Sequence, residues 1–361
     1  MRILQIITSL ETGGAEKLIV DIVPRVNQMG LICDVMTLQD KKSPFSKELE
    51  KKRVKVISLS KILNYYNPLY IWKIIPYLKQ YDLIHTHLSQ PQYWTAAARA
   101  ISGVKTPIIT TEHNTSNKRI NQRFFKPLEK WMYGQYEKII CISQATSNNM
   151  IAHTNLTDKI ITLENGINVK HFSEATPITR SLIGLDESDF VVTMVAGFRP
   201  QKDHDTLIKV LKYLPEDVKV VFVGDGLRME ECRLLAKSEH VENRIFFLGV
   251  RTDVANILKS SNIVVMSSNY EGFGLAAVEG MAAGKPVIAT NVEGLSEIVK
   301  DAGLLFELGN VEELKTHILK LKSSLDYTKN ISEACFERSK KYDISIMVEK
   351  LIDIYKEFIK E

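Results

Sequence analysis

Short apolar runs rich in β-branched residues alternate with helix-length segments along the chain. This alternation is typical of βα units built on parallel sheets. The runs are nearly continuous in hydrophobicity, which indicates sheets that helices cover on both faces. We predict strands at residues 3–8, 33–38, 54–59, 83–87, 108–111, 139–142 and 160–163, and a second series at 191–196, 218–223, 245–248, 263–266, 286–289 and 304–306. The sequence therefore predicts two doubly wound parallel sheets of the α/β class.

The chain is long enough for two domains. Its 361 residues exceed the roughly 250–300 residues that one hydrophobic core usually serves. Turn residues at 164–168 separate the two strand series, and Gly166 suits a positive φ. We therefore expect an N-terminal domain over residues 1–165 and a second domain over 166–343. Residues 344–361 repeat apolar positions at helical spacing, which predicts a helix that packs back on the first domain.

Cysteine usage and hydropathy exclude several classes of protein. The four cysteines lie far apart and form no C-x-x-C pair, which argues against a zinc or redox motif and favours the cytoplasm. The apolar stretch 3–10 lacks a small-residue cleavage site and runs into Glu11, so we expect a first strand rather than a signal peptide. No run approaches the ~18–20 apolar residues of a membrane span.

Charge is distributed unevenly. Residues 1–170 carry 23 Lys and Arg against 13 Asp and Glu, although the whole chain has a net charge of only +4. A basic first half indicates an anionic partner, and a merely solvated basic surface is the alternative.

The densest functional signal is the segment 269–286, which follows the predicted strand 263–266. Ligands of open α/β sheets bind beyond the carboxyl ends of strands. The segment is a glycine-bearing loop that is predicted to open a helix near Leu275. The backbone N–H groups of Phe273, Gly274 and Leu275 can therefore face an anion such as a diphosphate.

Two glutamates accompany this loop, Glu271 before the helix and Glu279 within it. Carboxylates accept hydrogen bonds from neighbouring hydroxyls, which suits a sugar and a ribose. Together with the flanking glycines, the pair resembles the E-x7-E signature of the group 1, or family four, retaining glycosyltransferases. The resemblance implies a GT-B fold, in which two Rossmann-like domains face each other across a cleft. It also implies that Glu271 contacts the transferred sugar and Glu279 the nucleotide ribose.

The loop after the first predicted strand, residues 12–16, is similar to the Gly-Gly loop of this family. The resemblance places Gly13 and Gly14 against the donor phosphates or the acceptor. A nicotinamide-binding loop would instead need G-x-G-x-x-G and an acidic residue that closes the second strand. The loop lacks that pattern, and Asp34 stands at the start of its strand.

The segment 195–204 resembles the Arg/Lys phosphate clamp of the family, with Lys202 at the position of the family lysine. The match departs from the family at Gly197, where many members carry arginine. Arg199 is expected to replace that arginine, because its long guanidinium can reach the same oxygens.

A strand-end histidine, His113, resembles the family histidine that faces the donor sugar, and Asn165 lies in the hinge pattern. His85 and His87 alternate along the preceding strand end, where the family more often uses histidine structurally or on the acceptor side. Two histidines alone do not make a zinc site.

The resemblance implies transfer with retention, in which the leaving phosphate takes the acceptor proton. Asp203 and Asp205 spell D-x-D, which binds a metal in another glycosyltransferase architecture, but Asp203 is predicted to start a helix. We therefore expect no metal and no cofactor other than the nucleotide-diphosphate sugar, which is a co-substrate. The alternatives are a nucleotide-sugar epimerase of the same fold, a dehydrogenase and a non-catalytic sugar-binding subunit.

We expect a UDP-sugar donor, with GDP left open, and a lipid-linked or polysaccharide acceptor in cell-surface glycan biosynthesis. Residues 117–132 interleave five basic residues with Phe124, Phe125 and Trp131, and residues 65–73 form a second aromatic stretch. Basic and aromatic residues together suit an anionic membrane surface, which predicts a peripheral protein on the inner face of the membrane. Alternatively, the aromatic rings pack beneath the acceptor site. No nucleic-acid module is recognisable, so no nucleic-acid partner is expected.

Overall fold

The computed structural model describes residues 1–11, 13–39, 43–113 and 126–358. The chain divides into two compact units. The first unit comprises Met1–Gly166 together with Ile344–Glu361, and the second comprises Ile167–Asp343. The C-terminal segment therefore belongs to the first unit.

Within the described ranges, the first unit contains a seven-stranded parallel sheet in the order β3-β2-β1-β4-β5-β6-β7. Its strands are β1 (Arg2–Ile7), β2 (Ile32–Gln39), β3 (Val56–Ser60), β4 (Leu83–His87), β5 (Ile108–Glu112), β6 (Lys138–Cys141) and β7 (Ile160–Thr162). Its α-helices are α1 (Gly14–Gln28), α2 (Pro44–Lys51), α3 (Tyr70–Leu78), α4 (Ser89–Ser102), α5 (Lys126–Gly134), α6 (Gln144–Thr154) and α15 (Ile344–Lys356).

Successive residues of β1 face opposite layers of this unit, as the two-residue period of a strand requires. Ile3 and Ile7 pack with α1 and α15 on one face, whereas Leu4 and Ile6 pack with α3 and α4 on the other. Each of these fully buried side chains contributes about 1.5–3 kcal/mol. Gln5 shares the face of Ile3 and is also fully buried, so a polar group lies inside an apolar layer.

The second unit contains a six-stranded parallel sheet in the order β10-β9-β8-β11-β12-β13. Its strands are β8 (Phe190–Val195), β9 (Val218–Val223), β10 (Ile245–Phe247), β11 (Ile263–Met266), β12 (Val287–Thr290) and β13 (Leu304–Phe306). Its α-helices are α7 (Val169–Ser173), α8 (His204–Val210), α9 (Met229–Ser238), α10 (Val254–Ser260), α11 (Leu275–Ala282), α12 (Ser296–Val299), α13 (Val311–Ser323) and α14 (Leu325–Ser339).

The predicted fold class is confirmed, because both units are doubly wound parallel sheets and all thirteen predicted strands are present within the described ranges. Their ends move by one or two residues. The strand predicted at 286–289 begins at Val287, since Pro286 has no N–H to donate to the ladder. Among the described residues, no helix is both long and apolar enough to cross a membrane.

The conformation predicted for Gly166 is wrong, since it is not among the glycines with positive φ. A Cβ at this position would lie 2.7 Å from the Cα of Ile344. Gly166 is therefore needed for the close approach of the first residue of α15, rather than for a turn.

Candidate functional site

The glycine-bearing loop predicted to face a diphosphate lies in the second unit and connects β11 to α11. The helix begins at Leu275, as predicted, and Gly274 precedes it with a φ of 88°. Phe273 is buried and its ring makes an edge-to-face contact with Tyr342 at 5.3 Å. A Cβ at Gly280 would lie 3.0 Å from Val264, so this glycine lets α11 pack closely on β11. The N–H groups at the start of this helix have no partner inside the helix.

Two predicted site residues meet at this loop. The ammonium of Lys202 donates to Oε1 of Glu271, and the hydroxyl of Ser268 donates to the same oxygen at 2.9 Å. The side chains of Lys202 and Glu271 are only 20% and 12% exposed, so little water screens the pair. A carboxylate in the E-x7-E pattern and a cation of the predicted clamp therefore form one charged cluster.

Two residues that the sequence analysis missed join the clamp segment to the glutamate loop. The hydroxyl of Ser267 donates to the carbonyl oxygen of Asp203 at 2.7 Å. The backbone N–H of Asn269 donates to the carbonyl oxygen of Gln201 at 2.8 Å. The signal in the sequence that could have identified Ser267 is that it is a polar residue at the end of an apolar strand. These bonds fix the 3₁₀ turn Pro200–Lys202 beside the glutamate.

Arg199 is exposed, and its guanidinium makes no hydrogen bond or ion pair with any described residue. Its Nε lies 3.9 Å from the position that a Cβ at Gly197 would take. A guanidinium from residue 199 thus passes beside the position at which many family members carry arginine. Gly224 and Gly226 line the same turn, and a Cβ at Gly224 would lie 2.1 Å from the carbonyl oxygen of Ala196.

The D-x-D residues are both engaged within the protein. Asp203 precedes α8 with a φ of 45°, and its carboxylate accepts a hydrogen bond from the hydroxyl of Thr206 at 2.5 Å. Asp205 forms an ion pair with Arg228 at 3.0 Å. Among the described residues, no group of three or more His, Cys, Asp and Glu side chains is arranged to hold a metal ion.

Glu279 is half-buried on the second turn of α11. In the first unit, Gly13 is the residue before α1, and Gly14 begins the helix. A Cβ at Gly13 would lie 2.2 Å from Oε2 of Glu16, so a carboxylate already lies over the start of α1. A negative charge there stabilises the helix. The same negative charge disfavours the binding of a phosphate at the start of α1, whereas a neutral hydroxyl can bind beside the carboxylate.

His113 lies at the carboxyl end of β5 and is half-buried. Its Nε2 lies 3.0 Å from Nδ1 of His87, and Nε2 of His87 lies 2.7 Å from Oε1 of Gln5. The structure therefore joins His113 to a residue of β1 that the sequence analysis did not identify.

Asn165 is buried, and its Oδ1 has no hydrogen-bond partner among the described residues.

The same network continues to the C-terminal helix. The amide Nε2 of Gln5 donates to the hydroxyl of Tyr355 at 2.7 Å, and that hydroxyl lies 2.8 Å from Nδ1 of His85. Nε2 of His85 lies 2.7 Å from Oγ1 of Thr111. Burial lowers the pKa of His85 to about 3 and the pKa of His113 to about 4. Both rings are therefore neutral near pH 7.

Comparison with known proteins places both units in one family. Residues 177–338 match the family described as glycosyl transferases group 1, and residues 12–171 match glycosyltransferase family 4. An uncharacterized glycosyltransferase of Methanocaldococcus jannaschii is 33% identical over 288 residues, which cover 76% of this chain and 75% of the relative.

A second relative is the UDP-Gal:alpha-D-GlcNAc-diphosphoundecaprenol alpha-1,3-galactosyltransferase of Escherichia coli, which is 27% identical over 77% of this chain and 76% of its own length. Among solved structures, Anabaena HepE in complex with UDP and glucose superimposes with a TM-score of 0.87 at 23% identity, covering 99% of both chains. The relatives named here are glycosyltransferases, so the epimerase alternative is not favoured. The chain belongs to the group 1 glycosyltransferases of family 4, which have the GT-B fold.

Proposed function

We propose that this protein is a retaining glycosyltransferase that takes a sugar from a UDP-sugar and transfers it to an acceptor hydroxyl without a metal. The observation that carries the proposal is the half-buried ion pair of Lys202 with Glu271, which lies four residues before α11. It sets a cation for phosphate oxygens and a carboxylate for sugar hydroxyls side by side. The UDP donor is supported by the names of the E. coli relative and of the HepE complex.

The main chemical task is to stabilise the charge that develops on the departing diphosphate. Lys202, Arg199 and the N–H groups of Gly274 and Leu275 supply positive charge and hydrogen-bond donors for that purpose. Removing one such preorganised donor commonly costs about 2.7–4 kcal/mol of transition-state stabilisation. A metal is not required for this task, because the chain supplies these groups itself.

In the proposed transfer, the bond between the anomeric carbon and the phosphate oxygen breaks, and a bond to the acceptor oxygen forms on the same face of the sugar. The acceptor proton passes to an oxygen of the leaving diphosphate, so charge and atoms balance. Glu271 holds hydroxyls of the transferred sugar and Glu279 holds the ribose. His113 contacts a hydroxyl of the sugar.

A panel of nucleotide sugars tests this proposal. A UDP-sugar should raise the unfolding temperature in proportion to the logarithm of its concentration over Kd, and proton NMR of the product should show the anomeric configuration of the donor. Glu271→Gln should lower kcat at least tenfold, and Glu333→Gln, an exposed change on α14, is its matched control. Conversion of the free nucleotide sugar without transfer would support an epimerase instead, and an inverted product would exclude retention.

We further propose a lipid-linked or polysaccharide acceptor for cell-surface glycan synthesis, reached at an anionic membrane surface. Of the predicted basic and aromatic segment, the residues Lys118, Arg119, Arg123, Phe124 and Phe125 lie outside the described residues. Trp131 is 42% exposed, which argues against its packing in a core. In the second aromatic stretch, Tyr66 and Trp72 are exposed, whereas Tyr70 is buried. Exposed aromatic rings support the membrane proposal, because such rings favour the headgroup boundary.

Co-sedimentation with vesicles tests the membrane proposal. Binding should require anionic lipid, weaken with salt, and fall when Lys118, Arg119, Arg123 and Lys126 are changed to serine, since each basic residue near the surface contributes about 1 kcal/mol. Lys329→Ser on α14 is the control, because it removes an exposed charge from the second unit. Failure to bind anionic vesicles at low salt would favour a soluble acceptor.

A further inference from the structure

Five polar side chains of the first unit share one face of its sheet. Gln5 is paired with His85 in the register of β1 and β4, and His87 is paired with Thr111 in the register of β4 and β5. Because residues two apart on a strand point to the same face, His87 follows His85 on this face, and His113 follows Thr111. All of these residues except His113 are buried, so their hydrogen bonds must be satisfied within the protein.

The hydrogen-bond chain has a direction, which Gln5 sets. A glutamine amide has two N–H donors on nitrogen and an acceptor oxygen. The nitrogen of Gln5 lies 2.7 Å from the hydroxyl of Tyr355 and 3.6 Å from Sγ of Cys33, so both of its hydrogens have an acceptor. Turning the amide over would place its nitrogen beside Nε2 of His87, which can accept only one of the two hydrogens. The oxygen of Gln5 therefore faces His87.

The acceptor role of the Gln5 oxygen fixes which nitrogen carries the proton in His87 and then in His113. Because Oε1 of Gln5 only accepts, Nε2 of His87 carries the proton of that 2.7 Å hydrogen bond. A neutral imidazole has one protonated nitrogen, so Nδ1 of His87 is an acceptor. Nε2 of His113, 3.0 Å away, must then carry the proton. Nδ1 of His113 is left with a lone pair and has no hydrogen-bond partner among the described residues.

We propose that Gln5 and His87 are positioning residues that hold His113 as the neutral tautomer protonated on Nε2, so that its Nδ1 accepts a hydrogen bond from a hydroxyl of the sugar substrate. The identity of the ligand as a sugar rests on the proposed function, whereas the tautomer of His113 does not. An acceptor nitrogen requires a hydroxyl and rejects a fluorine or a methoxy group at that carbon, since neither can donate. Gln5 and His87 thereby act in sugar recognition through His113.

The surroundings of the three rings support a neutral network. Burial lowers the pKa of His113 to about 4 and holds the pKa of His87 well below its usual range. Burial also raises the pKa of the Cys33 thiol to about 12, so the neighbouring sulfur carries no charge. Tyr355 has a raised pKa as well. No hydrogen bond between these rings and a carboxylate occurs within the described ranges, so nothing there favours an imidazolium.

Nitrogen-15 NMR of the full chain at pH 7.5 tests the tautomer directly, because protonated and unprotonated ring nitrogens resonate far apart. The signals of His113 are identified by their loss in His113→Gln. We expect a proton on Nε2 and none on Nδ1 in both His87 and His113. A proton on Nδ1 of His113 would overturn the proposal.

Variants of Gln5 test the positioning role. Gln5→Leu removes the acceptor for His87, so His113 should show mixed tautomers and kcat/KM should fall by about tenfold, as for the loss of one hydrogen bond. The affinity for UDP should stay unchanged. Gln5→Glu keeps an acceptor facing His87 but adds a buried carboxylate, so Nε2 of His87 should stay protonated while the pKa of His87 rises. Gln80→Leu, an exposed change on the same unit, is the control.

Folding of each variant is checked by tryptophan fluorescence, since Trp72, Trp94 and Trp131 all belong to the first unit. Retention of a single Nε2-protonated His113 in folded Gln5→Leu would contradict the proposal, as would unchanged transfer with mixed tautomers. If the wild-type chain transfers no sugar from any donor, the proposed function is wrong whatever the NMR result. If it transfers sugar but carries the His113 proton on Nδ1, only the present inference is wrong.

Discussion

Lowering the pH from 7.5 to 5.0 should destabilise the first unit through two of its histidines, the buried His85 and the half-buried His113. Burial lowers the pKa of His85 from 6.5 to about 3 and that of His113 from 6.5 to about 4. Because these values lie below the value for the unfolded chain, the unfolded chain binds protons first as the pH falls. The stabilisation by neutral rings is therefore complete above pH 6.5 and is lost progressively towards pH 4 and pH 3.

The size of this effect follows from the linkage between protonation and folding. One pKa unit corresponds to about 1.4 kcal/mol, so pH 5.0 should lower the free energy of unfolding by about 2 kcal/mol for each of the two rings. The combined loss of about 4 kcal/mol is a large share of the roughly 5–15 kcal/mol that stabilises an ordinary domain. His85 is almost fully buried, so solvent screening does little to reduce its share.

Urea unfolding followed by tryptophan fluorescence measures this effect, because all three tryptophans lie in the first unit. His85→Gln should lower the dependence on pH between 6 and 5 by about 1.4 kcal/mol per pH unit. His171→Gln, an exposed change in the second unit, should leave the dependence unchanged. An equal pH dependence in His85→Gln and the wild type would refute the reasoning.

Three further predictions concern catalysis. Glu271→Gln should lower kcat at least tenfold while leaving the unfolding temperature close to that of the wild type, because this loop carboxylate acts on the sugar in the transition state; near-normal turnover would exclude that role. Glu279→Ala should chiefly weaken UDP binding in calorimetry, and an unchanged Kd would contradict the ribose contact. Transfer should survive a chelator; its loss on chelation and recovery with manganese would contradict the metal-free mechanism and revive Asp203 and Asp205 as candidate metal ligands.

The strand positions of both units could be anticipated from the sequence because parallel strands are buried on both faces. Strand β11, for example, is an unbroken apolar run with all four residues buried, and such runs predict strands independently of their neighbours. A candidate functional loop could also be predicted, since ligands bind at the carboxyl ends of such strands. Helix α8 was less predictable: it ends at Val210 and continues as a 3₁₀ turn over Leu211–Tyr213.

Contacts between distant parts of the chain could not be predicted. Gln5 and Tyr355 are 350 positions apart in sequence, and no local pattern indicates that they share a hydrogen bond. In the sequence, Gln5 is a single polar residue within an apolar strand, and this pattern is equally typical of a strand at the solvent-exposed edge of a sheet. Ser267 and Asn269 are similar cases, because their role depends on a segment more than sixty residues earlier.

The half-buried Lys202–Glu271 pair before α11 shows why residue roles inferred from a motif cannot be treated as independent. The motif assigns Glu271 to the sugar and Lys202 to the phosphates, yet the two groups are in contact and both are largely withdrawn from water. Removing either charge leaves the other partly buried and without its main counter-ion. In the proposed mechanism, a substitution of Lys202 should therefore also perturb Glu271, because the cation assigned to the diphosphate is also the one that orients the carboxylate assigned to the sugar.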